Sequence, residues 1–340
     1  MEKSEPFAPL SFTMANFALN NSRMADNFTS DGGCFDRNST ATRVTRVAVY
    51  CVIILVSALG NTMTIMVVRR NKTMRKSFHC FIVNLAATDL IITLVYMPRV
   101  IVMWLRGSGW LVEDTFGLVL CKLVPYLHGV GILVSILTLM SLAIDRFFAI
   151  VFPLKQDLFT VKSSKFIIVF IWFVALAVRF PYFYSLKITF HEERGEFTCG
   201  ANLTKTFKHA NAREIYYSFL LIAFYALPFT VILASYSVIV VILRRSKAPG
   251  DKEIAKLVKK SRDKASRKVI HMLLTVTAAF LFCWLTYFIA QIVFNPVPCK
   301  LRFWRLFLAH SNSAFNPCLY AVFNEKFRKG YKRLLFCGSR

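Results

Sequence analysis

The sequence predicts an all-α membrane protein: a bundle of seven transmembrane helices followed by a short amphipathic helix on the membrane surface. Of its 340 residues, 56% are hydrophobic and 18% are charged, whereas soluble domains contain about 45–50% apolar and about 25% charged residues. The apolar residues form blocks of roughly 20 residues or more, the length that crosses about 30 Å of hydrocarbon. The seven blocks are residues 47–68, 78–103, 118–150, 166–186, 215–243, 269–294 and 303–323.

The distribution of basic residues predicts the orientation. If the N-terminus is outside, the inner segments contain 25 Lys and Arg against 5 acidic residues, and the outer segments 13 against 11. Short inner loops of membrane proteins are enriched in Lys and Arg in this way. A basic face against anionic lipid also explains the net charge of +25 without a nucleic-acid partner. We therefore expect a multi-pass plasma-membrane protein with an extracellular leader (1–43), the bundle (44–323) and a cytoplasmic tail (324–340).

The outer segments contain four Asn-x-Ser/Thr sequons, at Asn20, Asn27, Asn38 and Asn202. A single sequon often arises by chance. Four of them in segments that the charge pattern places outside predict a glycosylated extracellular surface.

The cysteines on the outer side predict disulfide bonds. Cys121 lies at the outer end of the third span and Cys199 in the second outer loop, so both face an oxidising compartment and are expected to pair. Cys34 and Cys299 remain on the same side and suggest a second bridge, although sequence alone does not decide connectivity. Cys337 follows the basic amphipathic segment at the C-terminus. It is a candidate for palmitoylation or a simple free thiol.

Each span carries a polar, proline or tryptophan landmark. In order, the landmarks are Gly60-Asn61, Asn84 to Asp89, Asp145-Arg146-Phe147, Trp172, Pro228 with Tyr236, Cys283-Trp284, and Asn316-Pro317-Cys318-Leu319-Tyr320. With this ordered set, the chain resembles the class A, rhodopsin-like G-protein-coupled receptors from about residue 44 to 337. The resemblance implies a receptor, not an enzyme, that binds an extracellular ligand and activates a heterotrimeric G protein. Arrestin and membrane lipids are further implied partners.

The resemblance also implies roles for individual residues. Arg146, next to Asp145, is similar to the arginine that meets the G protein when the inner ends of the helices open. Tyr236 and Tyr320 resemble the tyrosines that swing toward it. The other implied switch residues are Trp284, Asn316 and Pro317, with a packing triad of Ile136, Pro228 and Phe280. Packed apolar triads are usually plain core, so only the resemblance favours the switch role of this one.

Four polar residues match those that line the buried sodium site of this family. They are Asp89, Ser135, Asn312 and Asn316. Oxygen ligands suit a small hard cation, which would offset a buried carboxylate. A hydrogen-bonded network without an ion is the alternative. An allosteric sodium ion is the one cofactor that the resemblance implies.

The ligand class is predicted partly by exclusion. The seventh span has no lysine to hold retinal, and His128 occupies the position at which amine receptors use an aspartate. The long outer segment 187–214, with a predicted hairpin, is typical of peptide-binding members, and the sequence around Asp145-Arg146-Phe147 looks most like neuropeptide receptors. We therefore expect a neuropeptide. A lipid or other carboxylate is the alternative, and a transporter is a distant one because no repeated halves are found.

Facing positions in the outer halves of the helices define the candidate ligand pocket. Arg99 and Arg302 can pair with a carboxylate of the ligand. Alternatively, Arg99 donates hydrogen bonds to backbone carbonyls, and Arg302 extends its charged group to the membrane surface. The full predicted set is Arg99, His128, Ile132, Tyr287, Gln291, Arg302 and Leu306.

Overall fold

The computed structural model of the chain describes residues 39–74, 76–107, 109–152, 160–192, 195–245, 253–294 and 297–336. Within these residues the chain forms seven long helices, α1 to α7, a shorter helix α8 and a two-stranded hairpin, which confirms the predicted bundle. The helices are α1 Thr40–Arg70, α2 Ser77–Arg106, α3 Thr115–Val151, α4 Val161–Ser185, α5 212–245, α6 Glu253–Val293, α7 Cys299–Phe323 and α8 Glu325–Phe336. The strands are β1 Leu186–His191 and β2 Glu196–Ala201.

Most of the helices extend past the apolar blocks in the sequence. α1 begins at Thr40, inside the segment predicted as leader, because the Ser39 hydroxyl accepts a hydrogen bond from the Thr42 amide and caps the first turn. At its other end, α1 continues to Arg69 and Arg70. Basic residues there suit the negative end of the helix dipole, so they prolong the helix without being apolar.

Helix α3 lies at the centre of the bundle and α4 at its edge. In the most apolar segment of α3, 72% of the residues are buried, against 17% in α4. Large apolar side chains of α4, such as Phe166, Phe170 and Phe173, are exposed. This exposure fits a surface that contacts lipid, because apolar side chains carry no free-energy penalty when they face hydrocarbon.

Polar residues interrupt the apolar sequence of helix α7. In the described chain, α1 to α6 contain segments long and apolar enough to cross a membrane. In α7 the run His310 to Ser313 and Asn316 interrupts the apolar sequence, and all five of these side chains are buried. They face neighbouring helices rather than lipid, where unsatisfied polar groups would be costly.

Two π-helical turns widen the bundle and were not predicted from the sequence. One covers Ile92–Tyr96 in α2 and the other Ile222–Ala226 in α5. Each ends just before a proline, Pro98 or Pro228. A proline ring clashes with the carbonyl four residues earlier, and a wider turn relieves that clash.

Helix α8 packs its apolar face against the base of α1. Phe327 and Tyr331 are buried, and the Tyr331 hydroxyl lies 2.7 Å from the Thr64 hydroxyl. Burial raises the pKa of Tyr331 to about 12. Gly330 allows the close approach, because a Cβ there would lie 2.5 Å from Val67 Cγ1. The predicted amphipathic helix is therefore present.

Candidate ligand pocket and switch region

The hairpin lies over one end of the bundle, which we call the hairpin end. Cys199 on β2 is bonded to Cys121 at the start of α3, as predicted. The loop between α2 and α3 joins this cap, because the Trp110 amide donates to the Phe197 carbonyl at 2.6 Å. The hairpin reverses at Gly195, whose φ of 60° favours glycine.

A cavity of about 670 Å³ opens beneath the hairpin. Its walls come from α2, the start of α3, the α2–α3 loop, both strands of the hairpin and α7. They are mostly apolar, with two guanidinium groups: Val95, Pro98, Arg99, Val102, Met103, Gly109, Trp110, Leu111, Val112, Leu120, Val124, His191, Thr198, Cys199, Gly200 and Arg302. Arg99 is held in place because its Nη2 donates to the Cys199 carbonyl at 3.3 Å and its guanidinium lies over Trp110.

Only two of the seven predicted pocket residues, Arg99 and Arg302, line this cavity. Ile132 and Leu306 are almost fully buried in apolar clusters. The carbonyl of Gln291 accepts a 2.6 Å hydrogen bond from Arg213 Nη2. The remaining two, His128 and Tyr287, belong to a ring cluster deeper in the bundle.

The ring cluster joins α1, α2, α3, α6 and α7. His128 stacks on Tyr96 with ring centroids 3.8 Å apart, and its Nε2 lies 3.1 Å from Nε2 of His310. Nδ1 of His310 lies 3.2 Å from the Tyr50 hydroxyl. Tyr287 meets the His128 ring edge-on at 6.0 Å. Sequence reasoning missed Tyr50 and Tyr96 because neither is costly in an apolar helix. Their proximity to His310 appears only in three dimensions.

Below the ring cluster, polar residues surround Asp89. The buried Asp89 accepts a 2.8 Å hydrogen bond from Asn316 Nδ2. The Oδ1 atoms of Asn312 and Asn316 are enclosed and receive no hydrogen bond from the described residues. Ser135 Oγ lies 3.3 Å from Thr88 Oγ1. A carboxylate with unpaired amide oxygens is a set of hard donors that fits a small cation.

At the opposite end of α3, which we call the Arg146 end, an ionic lock holds Arg146. Its guanidinium forms a two-point ion pair with the neighbouring Asp145. Asp145 also accepts a 2.7 Å hydrogen bond from Ser77 on α2. Arg146 lies over the Phe78 ring at 4.8 Å, and its side chain is 24% exposed. The guanidinium is thus held against α2 while part of it remains accessible.

Packed side chains connect the ring cluster to the Arg146 end. Trp284 contacts the His128 ring at 5.9 Å and stacks on Phe280 at 5.8 Å. Ile136 and Pro228, the other predicted triad members, are buried, and Ile136 belongs to the same apolar cluster as Phe280. That cluster also contains the predicted tyrosines Tyr236 and Tyr320. Tyr320 stacks on Phe327 of α8 with ring centroids 5.4 Å apart. The predicted switch residues Asn316 and Pro317 precede Tyr320 by about one helical turn.

Several predicted modification sites lie outside the described residues. They are Asn20, Asn27, Asn38, Cys34 of the second bridge to Cys299, and Cys337. Asn202 is described and exposed, and its Oδ1 accepts a hydrogen bond from the Lys205 amide at 2.9 Å. Its glycosylation stays a prediction.

The chain matches the family model "7 transmembrane receptor (rhodopsin family)" over residues 60–320. It is 30% identical to the RYamide receptor of Drosophila melanogaster over 84% of this chain, and spans 62% of that receptor, less than two thirds. It is 30% identical to neuropeptide FF receptor 2 of Mus musculus over 84% of this chain and 71% of that receptor. It is also 30% identical to the histamine H2 receptor of Homo sapiens, over 92% and 85%.

The matched region runs from the Gly60-Asn61 landmark in α1 to Tyr320 at the end of α7. It includes the Cys121–Cys199 bridge, the Asp89 cluster and the Asp145–Arg146 lock. From this match and the seven-helix architecture, the chain belongs to the rhodopsin family of seven-transmembrane receptors.

Proposed function

We propose that the chain is a plasma-membrane receptor that binds a peptide at the hairpin end, outside the cell, and activates a heterotrimeric G protein at the Arg146 end. The observation that carries the proposal is a capped cavity at one end of α3, linked by packed rings to a locked arginine at the other. The excess of basic residues in the segments at the Arg146 end supports its cytoplasmic position. Arrestin and anionic lipids are further proposed partners of that end.

The peptide class is supported by the shape of the cavity and by the relatives. A volume of about 670 Å³ is within the usual range for small ligands, about 300–1,000 Å³. A cavity of this size holds a few side chains of a peptide ligand, and the rim of the hairpin offers further surface for a longer one. RYamide and neuropeptide FF receptors carry peptide names.

An amine ligand is disfavoured, although a histamine receptor is among the relatives. Asp145 is the one carboxylate in α3, and it lies at the Arg146 end. His128 is buried near the hairpin end, with His310 and Tyr96 as its neighbours. A buried ammonium group would therefore lack the counter-charge that such a group needs.

A lipid carboxylate is the second candidate. The cavity walls are mostly aliphatic, with Arg99 and Arg302 as the guanidinium groups. That combination also suits an acyl chain with an acidic head.

Activation is proposed to be a population shift. A ligand that prefers the open state favours the bundle with α5 and α6 displaced at the Arg146 end. This displacement repacks Trp284 and Phe280, which lie between the ring cluster and the lower core. Arg146 then leaves Asp145 and Phe78 and meets the G protein.

Replacement of Arg146 tests the coupling. We expect the Arg146→Ala variant to reduce the maximal G-protein response to an activating peptide by about tenfold or more, within the usual range of coupling energies. The measurement is G-protein dissociation in cells, with a neuropeptide library and a fatty-acid panel. Lys332→Ala is the matched control, since Lys332 is an exposed base on α8. It should respond like the wild type.

A full peptide response in Arg146→Ala at equal surface expression would contradict the proposed mechanism. A response to fatty acids but to no peptide would replace the peptide with the lipid-acid ligand.

Sodium binding at Asp89 is tested without any ligand. We expect sodium chloride to raise the melting temperature of the purified receptor by about 2–4 °C over choline chloride, because an ion that binds only the folded state stabilises it. The Asp89→Asn variant should lose this difference, whereas Asp145→Asn should keep it. Equal melting temperatures in both salts would favour the ion-free hydrogen-bond network.

A further inference from the structure

Three guanidinium groups lie inside the hairpin half of the bundle without a carboxylate partner. They belong to Arg99 on α2, Arg179 on α4 and Arg305 on α7. Within the described part of the chain, none of the three forms an ion pair. Ion pairs there include Arg146–Asp145, Arg213–Glu214 and Lys329–Glu325. Buried charges in proteins are normally paired, so this region has an excess of unbalanced positive charge.

Arg179 is the most enclosed of the three. Its side chain is only 7% exposed, and its Nε atom is buried without an acceptor. The guanidinium lies over the rings of Tyr182 and Tyr216, at 4.5 and 5.8 Å. It also presses against α3 at Gly129, where an added Cβ would overlap its Nε, Cζ and Nη2 atoms. The guanidinium of Arg179 thus occupies space that is open only because residue 129 is a glycine.

Arg305 approaches the same region from the other side. Its Nε and Nη1 atoms are buried without an acceptor, and its guanidinium lies 5.5 Å from the Tyr287 ring. Tyr287 in turn touches the ring of His128, the residue before Gly129. The row Arg305, Tyr287 and His128 therefore reaches α3 one residue before Gly129, against which Arg179 packs.

The tyrosines around this row are neutral hydroxyl donors. Tyr182 lies 4.5 Å from the Arg179 guanidinium, and Tyr287 lies 5.5 Å from the Arg305 guanidinium. An anion between them would meet two or more guanidinium groups and phenol hydroxyls, all of which donate hydrogen bonds to a carboxylate.

The described acidic residues do not supply that anion. Glu113 and Glu192 are exposed in loops, Asp114 caps α3, and Glu214 pairs with Arg213. Glu196 on β2 lies against Gly109 of the α2–α3 loop. Asp89 lies deeper and is bonded to Asn316. Among the described residues, no carboxylate contacts Arg179 or Arg305, and a carboxylate of a ligand would supply the counter-charge.

We propose that Arg179 and Arg305 form a buried site for a carboxylate group of the ligand. This inference rests on the proposed receptor function and goes beyond it, since it assigns an acidic ligand. The carboxylate can come from a peptide, as a free C-terminus or an acidic side chain, or from a lipid acid.

The test uses the purified full-length chain in nanodiscs of neutral phosphatidylcholine and measures its melting temperature. The probe is phenylacetate, compared with phenylacetamide at the same concentration and ionic strength. We expect phenylacetate to raise the melting temperature by about 2–4 °C and phenylacetamide to leave it unchanged. Arg179→Gln and Arg305→Gln should each remove at least half of the shift.

Two further variants separate charge from folding. Gly129→Ala keeps every charge but pushes the Arg179 guanidinium away, so it should also weaken the phenylacetate shift. Arg213→Gln removes an arginine that already has partners in Glu214 and the Gln291 carbonyl, so the shift should persist. Equal shifts with the acid and the amide would overturn the proposal. A full shift in both Arg179→Gln and Arg305→Gln would do the same.

A second pair of probes distinguishes the source of the carboxylate. A tetrapeptide is compared with its C-terminal amide, and decanoate with decanamide. A larger shift with the free-acid peptide assigns a peptide ligand, and a larger shift with decanoate assigns a lipid acid. If phenylacetate has no effect while a peptide activates the G protein, the carboxylate site is wrong and the peptide receptor stands. Stabilisation by phenylacetate without any peptide response reverses that conclusion.

Discussion

Replacement of Cys121 by serine is expected to destabilise the receptor by about 2–5 kcal/mol, the usual cost of losing a native disulfide. The bond joins positions 78 residues apart, so its loss frees a long loop in the unfolded chain. It also releases β2 from α3, and with it the Cys199 carbonyl that holds Arg99 at 3.3 Å. Thermal unfolding of the purified protein and surface expression measure the first effect. Loss of peptide response at matched surface level measures the second.

Other cysteine variants serve as controls for Cys121→Ser. Cys199→Ser and the double variant should resemble Cys121→Ser, because one bond is lost in all three. Cys51 is an unpaired cysteine exposed on α1, and Cys51→Ser should change the melting temperature little. A Cys121→Ser protein as stable as Cys51→Ser would show that the bridge contributes nothing to the fold.

Replacement of Gly60 by valine is expected to separate α1 from α7. A Cβ at Gly60 would lie 2.5 Å from Cγ and 2.7 Å from Cβ of Pro317, inside van der Waals contact. The proline ring is rigid and cannot rotate away. The neighbouring Asn61 would also be pulled from the Ser313 carbonyl, to which its Nδ2 donates at 2.9 Å. Overpacking of a dense interior costs about 1–3 kcal/mol or more, and the broken hydrogen bond adds about 1 kcal/mol.

Thermal unfolding of Gly60→Val measures this loss, and Gly60→Ala should show a smaller loss of the same sign. Gly200→Ala is the matched control, because nothing lies within 4 Å of a Cβ at that position. A Gly60→Val receptor with the stability of Gly200→Ala would contradict the close packing of α1 on α7.

The seven helices could be predicted because an apolar block of about 20 residues is a property of the chain in one dimension. The same holds for α8, whose buried Phe327 and Tyr331 are four residues apart on one face. The Cys121–Cys199 pair was predicted because both cysteines lie in segments that the charge pattern places on the oxidising side. The π-helical turns were missed, since Pro98 and Pro228 indicate strain in a helix but do not say how the backbone relieves it.

The residues predicted for the ligand pocket lie in two different places in the structure. Arg99 and Arg302 line the cavity, but His128 and Tyr287 belong to the ring cluster below it. Residues that line the cavity and residues packed in the ring cluster both face the interior of the bundle. Helical periodicity therefore cannot distinguish a cavity-lining residue from a core residue. Arg179 was visible in the sequence as a costly charge in a span. The contact between Arg179 and Gly129 could not be predicted from the sequence, because a glycine in a helix does not indicate which side chain packs against it.

By itself, the sequence determined that the chain crosses a membrane seven times, which end carries the basic residues, and which ordered landmarks place it in its family. These features depend on composition and spacing along the chain. Only the tertiary structure decided that Gly60 meets Pro317, that His128 meets His310, and that Arg179 and Arg305 have no acidic neighbour among the described residues. Such pairs depend on the rotation and tilt of each helix. Those angles result from the simultaneous packing of every helix face.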